Sequence, residues 1–462
     1  MKTSLKRIVS LSCAAVLAIS VLSGCGTKDS ASDGKVTLKL WTKPSQDSPE
    51  YTIISHDRMM DDLREHFPDI EFEEAMNPTG TDYRQEYDKA LMANTAPAFF
   101  IRFSYTDIPS RIKNGTVADI SKFVDNWDLK NEGKILDLFD DAISDDGKWY
   151  ALPLKAYTMG TLCNKKTLET AGGDSSNLPK TWDEFAALGE KITDLSVPRI
   201  GYSLIGMDWC AWPFTAWVWS AGGDMVTPNG DGTYKLTFNE DPGVDTAMFM
   251  NQMIWQNKMT QKDILLDYAD VKKNVLNGTS CFSFMGLNDL GDGTELKEYG
   301  LEKSDYIDML IPAKDGSTEG SALAGGQVIT FNPKLSDKEL EAAFKVVEYL
   351  YFSDERMQVD CDEIEEFNTT NVMIPGRVDW YEKRLEANSG ITDEEISALN
   401  MLRENAKPEP YCEHWSDIKS NLVAPLQEIY LTENISRDKV KSLLDDCAKK
   451  LYDLYPETFK AE

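Results

Sequence analysis

The sequence predicts an α/β protein of two or three domains. The chain has 462 residues, more than one hydrophobic core usually holds, since domains typically contain roughly 100–200 residues. Its first part has a strand–helix–strand pattern, which favours a mostly parallel sheet covered by helices. The same alternation of strand and helix patterns returns later in the chain. No period of roughly 20–50 residues is visible, which argues against a repeat solenoid.

The first three elements are predicted from hydrophobic spacing and from a helix-breaking residue. Residues 35–41 alternate apolar and polar side chains, as a half-buried strand does. Met60 and Leu63 lie on one face of the following helix, which Pro68 ends because proline cannot continue a helix. Residues 71–74 are predicted to form the second strand. The chain therefore opens with a β-α-β unit.

Helix starts and turns are also visible further along the chain. Residues 181–184 and 336–339 are capping boxes, in which a Thr or Ser and a Glu three residues later satisfy the first free N–H groups of a helix. The apolar face between residues 440 and 451 predicts a C-terminal helix. Residues 306–311 are a strand candidate. Asn-Gly-Asp-Gly at 229–232 is typical of a hairpin turn, and it lacks the twelve-residue ligand pattern of a calcium loop.

The charge balance limits the partners of the protein. The formal net charge is −30, from 78 acidic and 48 basic residues. A nucleic-acid-binding protein usually has a basic face, so no nucleic-acid partner is predicted. We interpret the acidity as a source of solubility in an exposed compartment. The chain has only 3 histidines and no CxxC pair, so no metal site and no cofactor are predicted.

The N-terminus has the features of a secretory signal. A basic start precedes an apolar run over residues 8–22, which is too short for a typical membrane span. The run ends in Leu-Ser-Gly-Cys, which resembles the lipobox of bacterial lipoproteins. That resemblance implies a signal peptide over residues 1–24, a lipid on the Cys25 thiol and a flexible tether over residues 25–35. Most of the six later cysteines are predicted to be single buried thiols.

Short motifs spread over almost the whole mature chain occur in the order known from one protein family. They are Leu-Trp at 40–41, Phe-Pro-Asp-Ile at 67–70, segment 111–120, Asp-Gly-Lys-Trp-Tyr-Ala-Leu-Pro at 146–153, Leu-Cys-Asn-Lys at 162–165, Leu-Pro-Lys-Thr-Trp-Asp-Glu-Phe at 178–185, Gly-Gly at 222–223 and Leu-Asn-Gly at 276–278. Together they resemble the bacterial extracellular solute-binding proteins of the carbohydrate-uptake, maltose-binding-protein-like type. Each motif alone is weak, and the resemblance rests on their order and spacing.

The resemblance implies a two-lobed, periplasmic-binding-protein-like fold of type II with several crossover strands at the hinge. A ligand is expected in the cleft between the lobes, which close on it. By analogy, lobe one holds residues 36–153 plus 316–355, and lobe two holds 154–315 plus 356–462. The resemblance also implies a lipid-anchored monomer on the extracellular face of the cytoplasmic membrane. It would deliver a sugar or oligosaccharide to the transmembrane permease subunits of an ABC transporter.

Tryptophans are candidate sugar contacts, because sugars present apolar C–H faces that aromatic rings cover and hydroxyl groups that fixed polar groups bind. Trp209 matches a position where sugar-binding relatives place a stacking aromatic residue. Trp415 matches a second such position, at the lead into the penultimate helix, and core packing is its alternative. Trp212, Trp217 and Trp219 are predicted to pack in the core.

Polar candidates come from predicted crossovers and loops. Tyr157 follows the first proposed crossover, where relatives place a polar cleft contact; a core tyrosine is the alternative. Arg102 follows the strand predicted at 98–101, and open α/β sheets bind ligands at the carboxyl ends of their strands. A rim salt bridge is the alternative for this arginine. Asn288 and Asp289 occupy a loop where the family often has a tryptophan, and their amide and carboxylate suit hydroxyl groups.

Three further residues complete the predicted ligand site. Gly325 and Gly326 have no side chain, so the backbone there could approach a ligand closely, although a strand kink is an equal alternative. Trp41 stands at the end of the first strand and is a weaker candidate.

Three other functions remain open at this stage. A secreted glycan-acting enzyme is disfavoured, because no GxSxG, HExxH or Walker-type glycine loop occurs in the chain. A binder of another solute on the same fold, such as a peptide or a polyamine, is the closer alternative. A sensor that docks on a membrane receptor would share the binding chemistry and differ in its docking surface. We predict a binding protein and no enzyme.

Overall fold

The computed structural model describes residues 35–78, 83–291 and 293–461, and the structural statements below refer to these residues. The predicted signal peptide and Cys25 lie outside them. The strands are β1 (Val36–Lys43), β2 (Ile70–Met76), β3 (Phe99–Ser104), β4 (Ser144–Asp145), β5 (Lys148–Trp149), β6 (Ala151–Asn164), β7 (Ile200–Ser203), β8 (Val226–Pro228), β9 (Tyr234–Leu236), β10 (Ser280–Met285), β11 (Tyr306–Met309), β12 (Ala322–Phe331), β13 (Ile374–Pro375) and β14 (Ala406–Pro408).

The helices cover the sheets and form much of the second half of the chain. The α-helices are α1 (Glu50–His66), α2 (Tyr83–Met92), α3 (Ile108–Lys113), α4 (Ser121–Val124), α5 (Asp128–Asn131), α6 (Asp140–Ile143), α7 (Lys165–Thr170), α8 (Trp182–Ile192), α9 (Ala211–Ser220), α10 (Asp241–Trp255), α11 (Tyr268–Leu276), α12 (Thr294–Glu298), α13 (Asp337–Phe352), α14 (Asp354–Phe367), α15 (Tyr381–Glu386), α16 (Asp393–Glu404), α17 (Trp415–Leu431) and α18 (Arg437–Leu454). Single 3-10 turns occur at Tyr105–Asp107, Leu287–Leu290, Lys303–Asp305 and Val378–Trp380.

The opening β-α-β unit is confirmed. β1 and β2 pair in parallel, with Leu38 opposite Phe72, and α1 connects them. The helix buries Met60 and Leu63, whose exposed fractions are 1% and 0%. It ends at His66, two residues before Pro68, because a proline disfavours helical backbone in the residue before it.

The predicted capping boxes and hairpin are also confirmed, because each depends on a few adjacent residues. The Thr181 hydroxyl accepts a hydrogen bond from the backbone N–H of Glu184 at 3.3 Å, and α8 starts there. Ser336 caps α13 in the same way. β8 and β9 pair antiparallel across the predicted turn, which the backbone N–H of Asn229 closes on the carbonyl of Thr233 at 2.9 Å.

Two long antiparallel strands, β6 and β12, organise the rest of the fold. They pair from Leu323 opposite Met159 to Thr330 opposite Ala151. The first half of β6 pairs only with β12 and β13, whereas its last residues pair with β10 and β11. β12 likewise pairs with β14 at its start and with β3 at its end. Both strands therefore run from one part of the molecule into the other.

Each of these strands contributes side chains to two hydrophobic cores. The first core consists of two adjacent clusters. One contains Leu38, Leu40, Met60, Leu63, Phe99, Leu152, Ile329 and Phe331 with the inner face of α13, and the other contains Phe103, Ala156 and Val328. The second core contains Met159, Cys163, Phe185, Tyr202, Phe214, Trp217, Phe282, Leu323, Trp415 and Leu444. Thus β6 passes between the cores after Ala156, and β12 passes between them after Leu323. The predicted lobe boundaries at 153/154 and 315/316 lie N-terminal to these crossing points.

The segment between α13 and β14 contacts both parts of the molecule. In α14, Glu366 accepts hydrogen bonds of 2.7 and 2.8 Å from the guanidinium of Arg58 on α1. At the end of this helix, the backbone carbonyl of Asn368 accepts a bond of 2.7 Å from the ammonium of Lys303, which precedes β11. The first contact joins α14 to α1 and the second joins its C-terminal end to the segment before β11, and the assignment of residues 356–462 to lobe two stays a prediction.

The six cysteines from Cys163 onwards are all buried free thiols, as predicted for most of them. No helix within the described part of the chain is both long and apolar enough to cross a membrane.

Candidate functional site

The crossing of β6 and β12 brings an aromatic ring against a glycine. Tyr157 and Gly325 are directly opposite in the ladder. A Cβ at Gly325 would stand 2.2 Å from the Tyr157 ring, and a Cβ at Gly326 would stand 2.2 Å from the ring of Phe139. The space over each glycine is therefore filled by the protein's own aromatic ring. The glycines accommodate these rings, and neither offers this side of its backbone to a ligand as the sequence had suggested.

A cluster of four aromatic side chains lies on the side of the second core. Tyr157 meets Trp212 edge-to-face at 6.3 Å between ring centroids. Trp212 meets Trp209 at 6.0 Å and Tyr268 at 6.1 Å, and Trp209 lies 5.5 Å from Tyr268. We call Tyr157, Trp209, Trp212 and Tyr268 the aromatic cluster. It comes from β6, from the loop and first turn of α9, and from the start of α11.

Trp209 differs from the other tryptophans in exposure. Its exposed fraction is 44%, whereas Trp217 and Trp219 are exposed by 0% and 5%. The prediction that these two pack in the core is confirmed. Trp212 was also expected in the core, but it is only half-buried and its indole Nε1 has no hydrogen-bond partner among the described residues. This N–H is sealed from solvent in the structure, and an unpaired buried donor costs about 1–3 kcal/mol.

Asn288 and Asp289 follow β10, and Asp289 lies beside Tyr268 of the aromatic cluster. Both belong to the 3-10 turn after β10, and Asp289 accepts a hydrogen bond of 3.2 Å from the backbone N–H of Gly286. Burial raises the pKa of Asp289, and burial together with the Asp289 carboxylate raises the pKa of Tyr268. The amide Oδ1 of Asn288 is buried without a partner in the described chain. This turn thus presents one carboxylate and one unpaired acceptor.

Behind this turn lies a second, fully buried carboxyl group. Asp308 on β11 is exposed by 1%, and its Oδ2 is 3.5 Å from the backbone N–H of Leu287. Burial raises the pKa of Asp308 to about 8, so the group is mostly protonated at neutral pH. Its Oδ1 has no partner in the part of the chain that the structure describes. Asp308 therefore supports the backbone of the turn that carries Asn288 and Asp289.

The first core contributes cations and a further tyrosine to the same region. Arg84, in the first turn of α2, donates from Nε to both carboxylate oxygens of Asp107 at 2.9 and 3.0 Å. The outer guanidinium nitrogens of Arg84 donate no hydrogen bond to another side chain or carbonyl among the described residues. The guanidinium also lies 4.7 Å from the ring centroid of Tyr83. Burial raises the pKa of Tyr83 to about 12.

Arg102 lies next to these residues, two positions before the end of β3 (Phe99–Ser104), whereas the sequence placed it just after a strand at 98–101. Its guanidinium donates a hydrogen bond to the backbone carbonyl of Pro78. The same group lies over the ring of Tyr83, 4.7 Å from the ring centroid. Burial lowers the pKa of Arg102. Among the described residues no carboxylate forms an ion pair with Arg102, so the alternative of a rim salt bridge has no support there.

Charged groups beside the first core and beside the second core both act on the hydroxyl of Tyr157. Burial raises the pKa of Tyr157, and the carboxylates of Glu409 and Asp289 raise it further. The cation of Arg84 acts in the opposite direction on the same hydroxyl. Tyr157 is therefore the point where residues of the first core, the second core and the crossing strands converge. We call the region around it the cleft.

Trp415 does not contribute a ring face to the cleft in this structure. It is exposed by 0% and packs in the second core. Its indole N–H donates a hydrogen bond of 2.9 Å to the carboxylate of Glu409. α17 packs against α9 and α18, and the Trp415 ring lies in the core between these elements instead of at a stacking position. The structure favours the alternative of core packing for this residue.

Trp41 lies at the edge of the site. It is half-buried and meets Tyr87 and Phe100 edge-to-face at 6.3 and 5.9 Å. With Asn77 and Glu86 it lines an open depression of about 540 Å³ at the carboxyl ends of β1 and β2. A second depression, of about 490 Å³, lies on the first core away from Tyr157. Neither depression includes Tyr157, so the candidate site rests on the convergence of charges and rings.

Sequence reasoning missed several members of the cleft. Arg84, Tyr83, Tyr268 and Glu409 were not proposed, and Trp212 was assigned to the core. None belongs to a motif, and they come from four separated segments of the chain. The Asp267 carboxylate caps α11 by accepting a hydrogen bond of 2.9 Å from the backbone N–H of Asp270. This cap could have located the start of the helix in the sequence, but not the direction of the Tyr268 ring. Within the described residues no group of three or more metal-binding side chains occurs.

Comparison with known proteins identifies the family. A family model described as bacterial extracellular solute-binding protein matches residues 59–357. The chain belongs to this family. This solute-binding protein is also 28% identical over 178 residues to the maltotriose-binding protein of Pyrococcus abyssi. The aligned residues make up 38% of this chain and 34% of the relative. The match thus spans about a third of the length of that curated relative.

Solved structures show that the fold is the two-lobed periplasmic-binding-protein fold. The solute-binding protein of an ABC transporter from Thermotoga lettingae, bound with α-D-tagatose, matches with a TM-score of 0.72 and 19% identity over 90% of this chain and 100% of that chain. UgpB from Mycobacterium tuberculosis, in complex with glycerophosphocholine, matches with a TM-score of 0.69 and 14% identity over 92% and 100% of the two chains. The family is extracellular, so this solute-binding protein is an exported one.

Proposed function

We propose that this solute-binding protein captures a sugar or an oligosaccharide in the cleft around Tyr157. The observation that carries the proposal is the aromatic cluster next to polar groups from both cores. The exposed ring of Trp209 offers a flat apolar face, and sugar C–H faces pack on such rings. The carboxylate of Asp289 and the outer nitrogens of Arg84 offer an acceptor and donors for hydroxyl groups, and the Oδ1 of Asn288, sealed in this structure, would need a side-chain movement to reach one.

Relatives support a carbohydrate ligand. The partial relative from Pyrococcus abyssi is a maltotriose-binding protein, and the structure from Thermotoga lettingae holds α-D-tagatose. Their sequence identities of 28% and 19% leave the particular sugar open. The chemistry of the cleft therefore carries the assignment to the sugar class, and the relatives agree with it.

Binding is proposed to close the two lobes by population shift. Arg84 and Arg102 belong to the first core, whereas Trp209 and Asp289 belong to the second. A ligand that contacts both sides binds the closed form more tightly than the open form and so shifts the equilibrium towards it. β6 and β12 cross between the cores beside the cleft, so small backbone rotations near Tyr157 and Gly325 would move one lobe against the other.

Delivery to a transporter follows from the same family assignment. We propose that the closed form docks on the permease subunits of an ABC importer and that a lipid on Cys25 holds the protein on the extracellular face of the membrane. The Leu-Ser-Gly-Cys sequence before the tether supports the anchor. Metabolic labelling with a radioactive fatty acid tests it, because Cys25→Ala should abolish the label and release the protein from the membrane.

A different solute is the second candidate, and one observation favours it. The likeness to UgpB, whose structure contains glycerophosphocholine, means that this fold also holds a ligand with a quaternary ammonium group. Aromatic rings next to a carboxylate suit such a cation through cation–π attraction. Asp289 beside Trp209 and Tyr268 has this composition. A secreted glycan-acting enzyme stays a third, less favoured reading.

The decisive experiment is a thermal-shift screen of residues 26–462 followed by calorimetric titration of each hit. The panel contains maltose, maltotriose, D-tagatose, glycerophosphocholine, short peptides and polyamines. A ligand that binds only the native state raises the melting temperature in proportion to the logarithm of its concentration. A shift with saccharides alone supports the proposal, and a shift with glycerophosphocholine or amines alone supports the second candidate. Release of hydrolysed sugar from a bound glycan would contradict a pure binding role.

A further inference from the structure

Glu409 is a buried acid whose backbone is fixed where the two cores meet. It follows β14 directly and is exposed by 4%. Its N–H donates to the carbonyl of Ala324 on β12 at 3.4 Å. Its carbonyl accepts a hydrogen bond of 3.0 Å from the hydroxyl of Tyr105, which belongs to the first core. The position of Glu409 is therefore set from the crossing strand and from the first core together.

The side chain of Glu409 is held through one of its two oxygens. Oε2 accepts from the indole Nε1 of Trp415 at 2.9 Å and from the ammonium of Lys419 at 2.6 Å. Lys419 also lies 5.4 Å from the ring centroid of Trp415. Both donors come from the first turns of α17, whose tryptophan is completely buried. The buried indole of Trp415 and the ammonium of Lys419 thus fix the orientation of the Glu409 carboxylate.

The second oxygen of Glu409 is free to bind. Oε1 accepts no hydrogen bond from the described residues. It is also not among the buried polar atoms that lack a partner, so it keeps contact with solvent. The charge of the group acts on the hydroxyls of Tyr157 and Tyr105 and on the guanidinium of Arg84. Glu409 therefore lies close to Tyr157, at the centre of the cleft.

We propose that Glu409 is a ligand-binding residue that accepts a hydrogen bond through Oε1, and that Trp415 and Lys419 are the positioning residues that aim it. This inference rests on the proposed carbohydrate function and deepens it. An ionised acceptor pairs with a hydroxyl or an amine and repels an anion. Together with Asp289, Glu409 makes the cleft selective for neutral or amine-bearing saccharides over saccharides that carry carboxylates or phosphates.

The test uses substitutions that change hydrogen bonding with little change in shape. The probe is maltotriose, or the saccharide of the panel with the largest thermal shift if maltotriose gives none. Its Kd is measured by calorimetric titration for the wild type, Glu409→Gln, Trp415→Phe and the double variant. Glu409→Gln should weaken binding about tenfold or more, because a hydrogen bond to a charged group is lost. Trp415→Phe should weaken it about threefold or more.

The double variant separates positioning from a general structural effect. If Trp415 acts through Glu409, adding Trp415→Phe to Glu409→Gln should change the Kd by less than about twofold, since coupled residues are not additive. Fully additive losses would overturn the positioning role. An unchanged Kd in Glu409→Gln and in a second variant, Glu409→Ala, would overturn the binding role.

A matched pair elsewhere in the chain serves as the control. The indole of Trp127 donates to the carboxylate of Glu348 at 2.7 Å, and Trp127 is exposed by 5%. Trp127→Phe should lower the melting temperature of the free protein and leave the Kd unchanged. A trisaccharide of uronic acids tests selectivity and should bind the wild type at least about tenfold more weakly than the neutral probe. Tighter binding of the acidic saccharide would overturn the selectivity, and the absence of binding to every saccharide would overturn the proposed function itself.

Discussion

The ring of Tyr157 lies against the backbone of Gly325, so that a methyl group added at residue 325 would stand 2.2 Å from Cε2 and 2.5 Å from the hydroxyl oxygen. Real Cβ contacts are not that short, so either the ring or the strand would have to move. The hydroxyl of Tyr157 is also where the charges of Glu409, Asp289 and Arg84 converge. The missing side chain at residue 325 therefore determines where the central hydroxyl of the cleft stands.

Gly325→Ala should displace Tyr157 and weaken ligand binding. Because the methyl group overpacks a well-filled site, we expect a loss of about 1–3 kcal/mol in the free energy of unfolding and a Kd raised about tenfold or more. Urea denaturation and calorimetric titration measure the two quantities. Gly316→Ala is the matched control, because a Cβ there meets no atom within 4 Å. Equal behaviour of the two variants would contradict this account of Gly325.

Trp209→Ala should lose ligand affinity with little loss of stability. The ring is 44% exposed, so its truncation removes little buried area, whereas a stacked sugar would lose its apolar platform. The expected loss of unfolding free energy is below about 1 kcal/mol. Trp217→Ala, with a ring exposed by 0%, should instead lose about 3–5 kcal/mol. A Trp209→Ala protein that binds its saccharide with unchanged Kd would show that the ring is not a ligand contact.

Asp308 should make the stability of the protein fall as pH rises. Its carboxyl has an ordinary pKa of 3.8 when unfolded and a pKa of about 8 when folded, so the native state binds the proton more tightly. Its contribution is fully present below pH 4 and is lost between about pH 4 and 8, by at most about 1.4 kcal/mol per pH unit.

Asp308→Asn removes this titration and tests the sign. The stability of the variant relative to the wild type should increase as pH rises from 5 to 8, as measured by urea denaturation at each pH. A constant difference over that range would show that Asp308 does not hold its proton in the native state. The variant keeps a neutral, hydrogen-bonding group of similar shape behind the turn that carries Asn288 and Asp289.

The ion pair between Lys165 and Glu395 should be important for stability. The ammonium lies 2.6 Å from the carboxylate, and the two side chains are exposed by 13% and 0%. Lys165→Met leaves a buried carboxylate without its cation, which typically costs about 3–5 kcal/mol. Lys449→Met is the control: its pair with Asp453 is exposed by 74% and 66%, and should be worth at most about 1 kcal/mol. Similar losses in the two variants would contradict the argument from burial.

Features with a local physical cause could be predicted from the sequence. The β1-α1-β2 unit follows from hydrophobic spacing, and the starts of α8 and α13 follow from capping boxes at Thr181 and Ser336. The hairpin at residues 229–232 follows from its turn residues. In each case the residues that decide the structure are neighbours in the chain. The family resemblance supplied the two-lobed fold, which no local pattern determines.

The composition of the cleft could be predicted only in part. Asp289 lies near Tyr157, Arg102 lies over the ring of Tyr83, and Trp209 is the exposed member of the aromatic cluster. The binding roles of these residues and of Asn288 stay predictions. Trp415 is buried, because packing of α17 decides which way its ring points. Arg84, Tyr268 and Glu409 come from distant segments and carry no motif. Their proximity depends on how the two cores meet, which residue spacing along the chain does not encode.

The six buried thiols have a consequence for how this exported protein reaches its native state. Since Cys163, Cys210, Cys281, Cys361, Cys412 and Cys447 all remain unpaired in the folded chain, the fold needs no oxidative catalyst, and any disulfide formed before folding is complete is a wrong one. Rapid burial of the sulfur atoms is then the protection against oxidation outside the cell. Refolding from denaturant should accordingly give the highest native yield with a reductant present, and an oxidising glutathione mixture should trap cross-linked, inactive chains.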